Sequence, residues 1–262
     1  MILEEIAAKT RERVHAAKRE RPLEEVRKQA EQMNANTGFP FYRALAKESL
    51  SYICEVKKAS PSKGLIASEF PYVEIAKEYE QAGADAISCL TEPYYFQGAN
   101  RYLQEIAKEV SIPVLRKDFV VDEYMIYEAK ILGASAVLLI CAILEKETVR
   151  EYIRIAKKLG MSAFVEAHDA EEIADAIDAG AEIIGVNNRD LRDFTVDVNN
   201  STRYRALIPG DILFVSESGI RTHDDIEVLK QNGTNAVLIG ETLMRSSNKK
   251  AMLEALNGEK LR

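Results

Sequence analysis

The sequence has few residues that build disulfides or metal sites. Its 262 residues include three cysteines, three histidines and no tryptophan. Cys54, Cys89 and Cys141 lie inside apolar runs without the spacing of metal ligands, so we expect reduced, buried thiols and no disulfide framework. The histidines are scattered along the chain, so a zinc site has no support and we expect no metal.

The sequence also lacks an excess of basic charge and any long hydrophobic run. Its net charge of −7 excludes broad binding to nucleic acid or anionic membranes, although a local basic pocket for one phosphorylated small molecule remains compatible with it. The longest uncharged apolar stretch, residues 131–144, is too short to span a bilayer. Residues 1–14 are charged and lack the apolar core of a signal peptide, so we expect a cytoplasmic protein.

The chain begins with a highly charged, amphipathic segment. Pro22 suits the first turn of a helix, which indicates two helices with a break near Glu20. We predict that residues 1–48 form a helical extension packed through one narrow apolar face on a larger body, residues 49–262, within one structural domain overall. A role for this extension as a lid over a site is the less favoured interpretation.

From residue 51 onward, apolar runs alternate with charged helical segments at nearly even intervals. Four of the runs follow a glycine that can end the preceding helix: Gly83, Gly133, Gly180 and Gly233. Another strand fits within each interval. The pattern predicts eight strands, at residues 51–57, 85–91, 112–117, 135–140, 162–166, 182–187, 211–217 and 235–240.

Eight βα units of similar size predict an α/β protein with a single (β/α)8 TIM barrel, a fold of roughly 250 residues. Runs such as residues 136–140 are apolar on both faces, as parallel strands beneath helices must be. A doubly wound open sheet is the alternative. It is weaker, because the units are nearly equal and no G-x-G-x-x-G turn is found.

Charged and amide residues end several of these strands, where a barrel places its catalytic groups. Glu55 and Lys57 share a face with Ile53, and Lys117 shares a face with Leu115, because alternate residues of a strand point the same way. Three further strands end in polar residues: Glu166, Asn187, and Glu217 with Ser218. A single charge at such a position is as readily a solvated strand end. Five converging residues indicate an ionisable site instead: Glu55, Lys57, Lys117, Glu166 and Asn187.

Glycines follow the last two strands, where barrels commonly bind phosphate through backbone N–H groups. Strand seven continues into Ser218 and Gly219, and strand eight into Gly240 and Glu241. Both glycines permit close backbone approach, so the two loops predict a phosphate site. The Glu241 side chain must then turn away while its N–H donates.

These local sequences resemble those of the indole-3-glycerol phosphate synthase family. The first-strand motif is Glu55-Val56-Lys57-Lys58-Ala59-Ser60-Pro61-Ser62-Lys63-Gly64, and the likeness continues in order through residues 115–119, 165–168, 185–191, 216–220 and 238–241. It covers essentially the whole chain. It implies a (β/α)8 barrel that closes the pyrrole ring of 1-(2-carboxyphenylamino)-1-deoxyribulose 5-phosphate, a step of tryptophan biosynthesis that releases carbon dioxide and water without a cofactor.

The resemblance also implies roles for the residues at the strand ends. Lys117 is the general acid, with a pKa lowered by other cations, and Glu166 is the general base for dehydration. Lys57 binds the substrate carboxylate and is a candidate later proton donor, oriented by Glu55. The remaining polar residues of the site are Asn187, Arg189, Glu217 and Ser218; pairing of Arg189 and Glu217 with each other or with rim charges is the alternative for those two.

The resemblance further implies an apolar slot and a mobile loop. Phe96, Phe119 and Leu138 line the slot for the aromatic ring, and Ser60 lies in the loop after strand one, with Lys63 as an extra cation. Some relatives carry a lysine for phosphate where this chain has Ala59, which shifts phosphate binding toward backbone N–H groups. The partner is then a phosphorylated small molecule, and the protein is a monomer or a weak homodimer, with transient contact with other tryptophan-pathway enzymes left open.

Other functions remain to be weighed. A class I aldolase would form a Schiff base at Lys117 with a phosphorylated carbonyl substrate. A phosphoribosylanthranilate isomerase would need a Cys–Asp pair, whereas the cysteines here are predicted to be mid-strand. A catalytically silent barrel that acts as a binding subunit would have broken rim residues, yet the polar residues at the strand ends are intact.

Overall fold

The chain forms a closed, eight-stranded parallel barrel. A computed structural model describes residues 2–189 and 195–258. Each strand pairs with the next along the chain, and the eighth pairs with the first. In chain order the barrel strands are Ser51–Val56, Ala86–Leu90, Val114–Lys117, Ala136–Ile140, Ser162–Ala167, Ile183–Asn187, Leu213–Glu217 and Ala236–Ile239.

This architecture confirms the predicted (β/α)8 barrel and excludes the open doubly wound sheet, since an open sheet has two unpaired edges. Every predicted strand is present, with its ends within two residues of the expected positions. A short antiparallel pair, Ala59–Ser60 with Gly64–Leu65, follows the first strand. The sequence had indicated only a loop there.

Helices surround the barrel and precede it. The chain opens with α1 (Ile2–Glu20), α2 (Leu23–Glu31) and α3 (Pro40–Leu45); the first two were predicted, whereas α3 was not. The others are α4 (Tyr72–Gln81), α5 (Asn100–Glu109), α6 (Glu123–Ile131), α7 (Lys146–Lys158), α8 (Ala170–Asp178), α9 (Asn199–Arg205), α10 (His223–Gln231), α11 (Glu241–Arg245) and α12 (Lys249–Leu256). Each helix in the part of the chain described is too short or too polar to cross a lipid bilayer.

Strand alternation divides the apolar residues into two layers. Ile53, Leu115 and Phe164 face the barrel interior, whereas Cys54 belongs to the layer between strands and helices. Arg116 also faces outward. Its guanidinium donates to the Met125 carbonyl at 2.8 Å and to Glu128 at 2.7 Å, so its neighbour Lys117 faces the interior.

The prediction of buried cysteines within strands is confirmed in part. Cys54 and Cys89 are buried within strands with free thiols. Cys141 was expected inside a strand as well, but it is only half-buried and begins a 3-10 turn, Cys141–Ile143, after the fourth strand. The fourth strand ends at Ile140 because Cys141 turns the chain toward α7.

The first helices contact both ends of the barrel. At the amino-terminal end, Phe41 of α3 lies against Phe164, with ring centroids 6.5 Å apart. At the opposite end, Arg13 of α1 donates two hydrogen bonds to Asp118, at 2.8 and 2.9 Å. Because Asp118 follows Lys117, this ion pair fixes α1 beside the site. The division of the chain at residue 48 stays a prediction.

Candidate active site

One cavity of about 380 Å³ opens at the carboxyl-terminal ends of the strands. The structure brings all fifteen predicted catalytic and substrate-binding residues to it: Glu55, Lys57, Ser60, Phe96, Lys117, Phe119, Leu138, Glu166, Asn187, Arg189, Glu217, Ser218, Gly219, Gly240 and Glu241. The barrel explains this convergence, since parallel strands deliver their ends to one mouth. The role of each residue remains to be argued from local geometry.

Lys117 lies between two buried carboxylates. Its Nζ atom donates to Glu166 Oε2 at 2.8 Å and to Glu217 Oε2 at 3.0 Å. Both carboxylates are almost fully buried, and they come from the fifth and seventh strands. Gly185 makes room for this arrangement, because a Cβ atom there would overlap Glu217 Oε1.

The cluster separates the pKa values of its members. Burial alone would lower the pKa of Lys117, but the charges of Glu166, Glu217 and Glu55 outweigh it and raise the pKa above the usual lysine range. The expectation of a lowered pKa is therefore wrong, because the nearest charges are carboxylates and not cations. Burial raises the pKa of Glu217 to about 7, whereas the ion pair with Lys117 overcomes burial and lowers the pKa of Glu166.

Glu166 has two further neighbours around its other oxygen. Asn187 Nδ2 donates to Glu166 Oε1 at 3.3 Å, and His168 Nε2 lies 3.3 Å from the same oxygen. His168 was not among the predicted site residues. The signal was available, because residues 166 and 168 are two apart in an extended segment and share a face.

A second ion pair lies at the barrel mouth. Lys57 Nζ donates to Glu55 Oε2, so the two residues that share a face of the first strand pair directly. Gly240 lies against this ion pair, because a Cβ atom there would clash with the Glu55 carboxylate and lie 2.8 Å from Lys57 Nζ. The glycine after the eighth strand thus leaves room for the ion pair.

The loop after the seventh strand has a strained backbone. Ser218 has φ of 70° and Gly219 has φ of 81°, both in the left-handed region. Asn188 stabilises this conformation, because its buried side chain donates to the Ser218 carbonyl at 3.0 Å and to Ser216 Oγ at 3.1 Å. A non-glycine residue held at positive φ is typical of functional sites.

The loop after the eighth strand leads directly into α11. Glu241, the first residue of this helix, pairs its carboxylate with Arg245 at 3.2 Å and with Lys63 at 3.6 Å, and all three residues line the cavity. Thr242 Oγ1 donates to the Ile220 carbonyl at 2.9 Å and so joins the two glycine loops. The expectation that the Glu241 side chain turns away from a bound phosphate stays a prediction.

The apolar wall of the cavity contains the three predicted residues and part of α1. The rings of Phe96 and Phe119 lie 5.9 Å apart, and Leu138 faces them from the fourth strand. Three α1 residues also line the cavity, and sequence reasoning missed them: Ile2, Leu3 and Ile6. Their helical spacing predicted an apolar face, but a position of this extension over a site was the less favoured interpretation, because local sequence does not fix which part of the barrel the face meets.

Two predicted features lie at the edge of the described region. The Arg189 backbone N–H donates to Asn187 Oδ1 at 3.0 Å, which holds the end of the sixth strand. Asp190 and Leu191 of the quoted motif lie outside the described residues.

In residues 2–189 and 195–258, no group of three or more His, Cys, Asp or Glu side chains could hold a metal ion.

A lysine held between two buried carboxylates, in a cavity with an apolar wall and two glycine loops, defines a (β/α)8-barrel enzyme of the kind that moves protons on a small molecule. The model of the indole-3-glycerol phosphate synthase family matches residues 3–256. Indole-3-glycerol phosphate synthase from Ruminiclostridium cellulolyticum is 55% identical over 258 residues, 98% of this chain and 99% of the relative. The one from Endomicrobium trichonymphae is 55% identical over 248 residues, 95% and 96% of the two chains. The chain belongs to the indole-3-glycerol phosphate synthase family.

Solved structures of other enzymes share the fold. The 3-hexulose-6-phosphate synthase from Salmonella typhimurium matches with a TM-score of 0.66 at 12% identity, over 80% of this chain and 97% of that one. Thiamine phosphate pyrophosphorylase from Pyrococcus furiosus matches with a TM-score of 0.59 at 17% identity, over 80% and 95%. At these identities the likeness shows the barrel alone.

Proposed function

We propose a division of roles among these residues for the indole-3-glycerol phosphate synthase reaction, the activity of the family to which the chain belongs. The enzyme is a lyase of tryptophan biosynthesis. It converts 1-(2-carboxyphenylamino)-1-deoxyribulose 5-phosphate into indole-3-glycerol phosphate, carbon dioxide and water. The reaction needs an acid at the ketone oxygen, an anchor for the carboxylate, a base for dehydration and a binding site for phosphate.

Lys117 acts as the acid for ring closure, and its position between Glu166 and Glu217 is the observation that carries the proposal. Its raised pKa keeps the ammonium protonated at neutral pH. As the aromatic carbon attacks the ketone, the oxygen becomes an alkoxide, which is a stronger base than an amine. The proton therefore transfers only as charge develops, which is when general acid catalysis helps most.

Lys57 anchors the substrate carboxylate. Glu55 holds the ammonium in place through their direct hydrogen bond and is almost fully buried. The cation also stabilises the carboxylate until ring closure makes the intermediate able to accept electrons as carbon dioxide leaves. Lys57 remains a candidate proton donor in the later dehydration.

Glu166 is the base that removes a proton during dehydration. Its lowered pKa keeps it ionised, and Asn187 fixes the oxygen that Lys117 does not hold. Glu217, whose pKa is raised to about 7 by burial, holds Lys117 in place by accepting a hydrogen bond from its ammonium. Two carboxylates with widely separated pKa values on one lysine suit opposite roles in proton transfer.

The substrate's ends are bound by the loops and the apolar wall. The backbone N–H groups of Gly219, Gly240 and Glu241, with the Ser218 hydroxyl, bind the phosphate. Phe96, Phe119 and Leu138 enclose the aromatic ring, with Ser60 and Arg189 at the rim. This geometry disfavours a class I aldolase, because a Schiff base requires a neutral amine and two carboxylates keep Lys117 protonated.

The family also supports the remaining expectations. We place the enzyme in the cytoplasm, with a phosphorylated small molecule as its partner, no nucleic acid or membrane, and no required cofactor. A monomer or a weak homodimer, with transient contact with other tryptophan-pathway enzymes, stays a prediction.

The test is to add the carboxyphenylamino-deoxyribulose phosphate to the pure enzyme in metal-chelating buffer and to follow indole fluorescence. The chain contains no tryptophan, so emission in that window comes from product. A rising signal supports the assignment. No signal together with a borohydride-trapped adduct on Lys117 would replace it with the aldolase.

A further inference from the structure

His168 is a half-buried titratable residue to which the proposed mechanism assigns no step. It follows the fifth strand directly, on the same face as Glu166, and its side chain is only 19% exposed. Its ring lies between two carboxylates from different elements, Glu166 of the strand and Glu172 of α8. A neutral histidine at the surface would extend its ring into solvent. The position of this imidazole between two carboxylates therefore needs an explanation.

Glu172 is held rigidly against the ring. Its Oε2 atom accepts the backbone N–H of His168 at 2.8 Å and lies 3.1 Å from His168 Nδ1. Asp169 caps α8 by accepting the Glu172 backbone N–H at 2.9 Å, which fixes the first turn of the helix. The helix cap thus sets the orientation of the imidazole ring.

The two contacts determine the protonation state. His168 Nε2 lies 3.3 Å from Glu166 Oε1 but outside hydrogen-bond geometry, while Nδ1 lies within hydrogen-bond distance of Glu172. A neutral imidazole has one N–H, so its other nitrogen would bring a lone pair close to a carboxylate. The imidazolium avoids this, because its positive charge attracts both carboxylates. In agreement, burial lowers the pKa of His168 but the two carboxylates outweigh it and raise the pKa to about 10.

We propose that His168, as an imidazolium held by Glu172, is a positioning residue that fixes the Glu166 carboxylate and keeps it ionised. The proposal rests on the role of Glu166 as the dehydration base. Glu166 then has a cation on each side, Lys117 at one oxygen and His168 near the other, with Asn187 as a neutral third neighbour.

The other groups around the ring do not supply this charge. Asp169 and Glu172 are acidic, and Cys141, from the 3-10 turn after the fourth strand, has its thiol pKa raised to about 12 by burial and these carboxylates. Lys117 is the nearest other cation to Glu166. Loss of the imidazolium therefore leaves Glu166 with one cation and raises its pKa.

The experiment compares the pH dependence of kcat in the wild type, His168→Asn and Glu172→Gln. His168→Asn should move the acidic limb of the profile up by about one pH unit, the effect of one charge at this distance. Glu172→Gln, which leaves the ring but removes its partner, should give a smaller shift in the same direction. His15→Asn, at an exposed histidine of α1, should leave the profile unchanged.

Nitrogen NMR of labelled imidazoles provides a readout that does not depend on turnover. The His168 ring, assigned by its loss in His168→Asn, should remain an imidazolium at pH 8 in the wild type and lose its proton at lower pH in Glu172→Gln. A neutral His168 at pH 7 would overturn the proposal. So would a His168→Asn profile that falls equally at every pH, which indicates a purely structural role.

The failure of the parent assignment would look different. If Glu166 were not the base, Glu166→Gln would retain turnover whatever His168 does. If Glu166→Gln is inactive while the acidic limb of the kcat profile of His168→Asn coincides with that of the wild type, then only the positioning role of His168 is wrong.

Discussion

Lys117 Nζ lies 2.8 Å from Glu166 Oε2, and this contact joins the proposed acid to the proposed base. The two groups come from the third and fifth strands, so the barrel and not local sequence sets their distance. An ammonium paired with a buried carboxylate remains charged, which gives the acid a proton to donate and leaves the base free to accept one. The predictions below test parts of this arrangement.

The stability of the protein should report the raised pKa of Glu217. Because its folded pKa of about 7 exceeds the ordinary value of 4.5, the folded protein holds this proton more tightly than the unfolded chain does. Its contribution is therefore fully present below about pH 4.5 and is lost as the pH rises to about 7. Glu217→Gln mimics the protonated carboxyl group, so the variant should gain free energy of unfolding relative to the wild type between pH 5 and pH 8.

Urea unfolding at the two pH values measures this difference. Glu69→Gln, at an exposed position, is the matched control and should show no such pH-dependent gain. A difference between wild type and Glu217→Gln that is the same at pH 5 and pH 8 would show that Glu217 is already ionised at pH 5.

Gly240→Ala should damage the Lys57–Glu55 pair without unfolding the barrel. The added Cβ atom would clash with the Glu55 carboxylate and lie 2.8 Å from Lys57 Nζ, so both side chains must move. Misplacement of about 1 Å costs roughly 100-fold in turnover. The control is Gly210→Ala, because a Cβ atom there meets nothing within 4 Å. Steady-state kinetics of both variants check this, and normal turnover in Gly240→Ala would remove the pair from the mechanism.

Ser218→Ala should weaken phosphate binding. Loss of the hydroxyl should raise KM several-fold with little change in kcat, and inorganic phosphate should inhibit the variant less well. Ser218 has a positive φ, so Ser218→Gly relieves the backbone strain while also removing the hydroxyl. Comparison of the two variants therefore distinguishes the effect of the backbone from the effect of the hydroxyl. A raised KM in both variants supports the phosphate contact, whereas a defect in kcat alone would contradict it.

The sequence was sufficient for the barrel and for the residues at its mouth. Glycines after helices and runs apolar on both faces carry the information for parallel strands, and alternation places Glu55 and Lys57 on one face. Each of these signals is local. Closure of the barrel then brings the strand ends together without further information.

The parts that could not be predicted depend on distances between elements. The pKa of Lys117 is raised, although the sequence predicted that it would be lowered, because two carboxylates from other strands lie within 3.0 Å of its Nζ atom. The contact of α1 with the cavity depends on the Arg13–Asp118 ion pair, which joins residues distant in sequence. His168 was within reach of strand alternation, but its partner Glu172 is fixed by a helix cap that no strand pattern reveals.

The most direct test of the account is single-turnover kinetics that follow carbon dioxide and indole in parallel. Lys117→Ala should bind substrate and release neither product at a significant rate, with a loss on the order of 10²–10⁴-fold. Glu166→Gln should release carbon dioxide but form indole slowly, because ring closure precedes the dehydration that needs the base. Carbon dioxide released by Lys117→Ala at the wild-type rate would contradict the assignment of Lys117 as the acid.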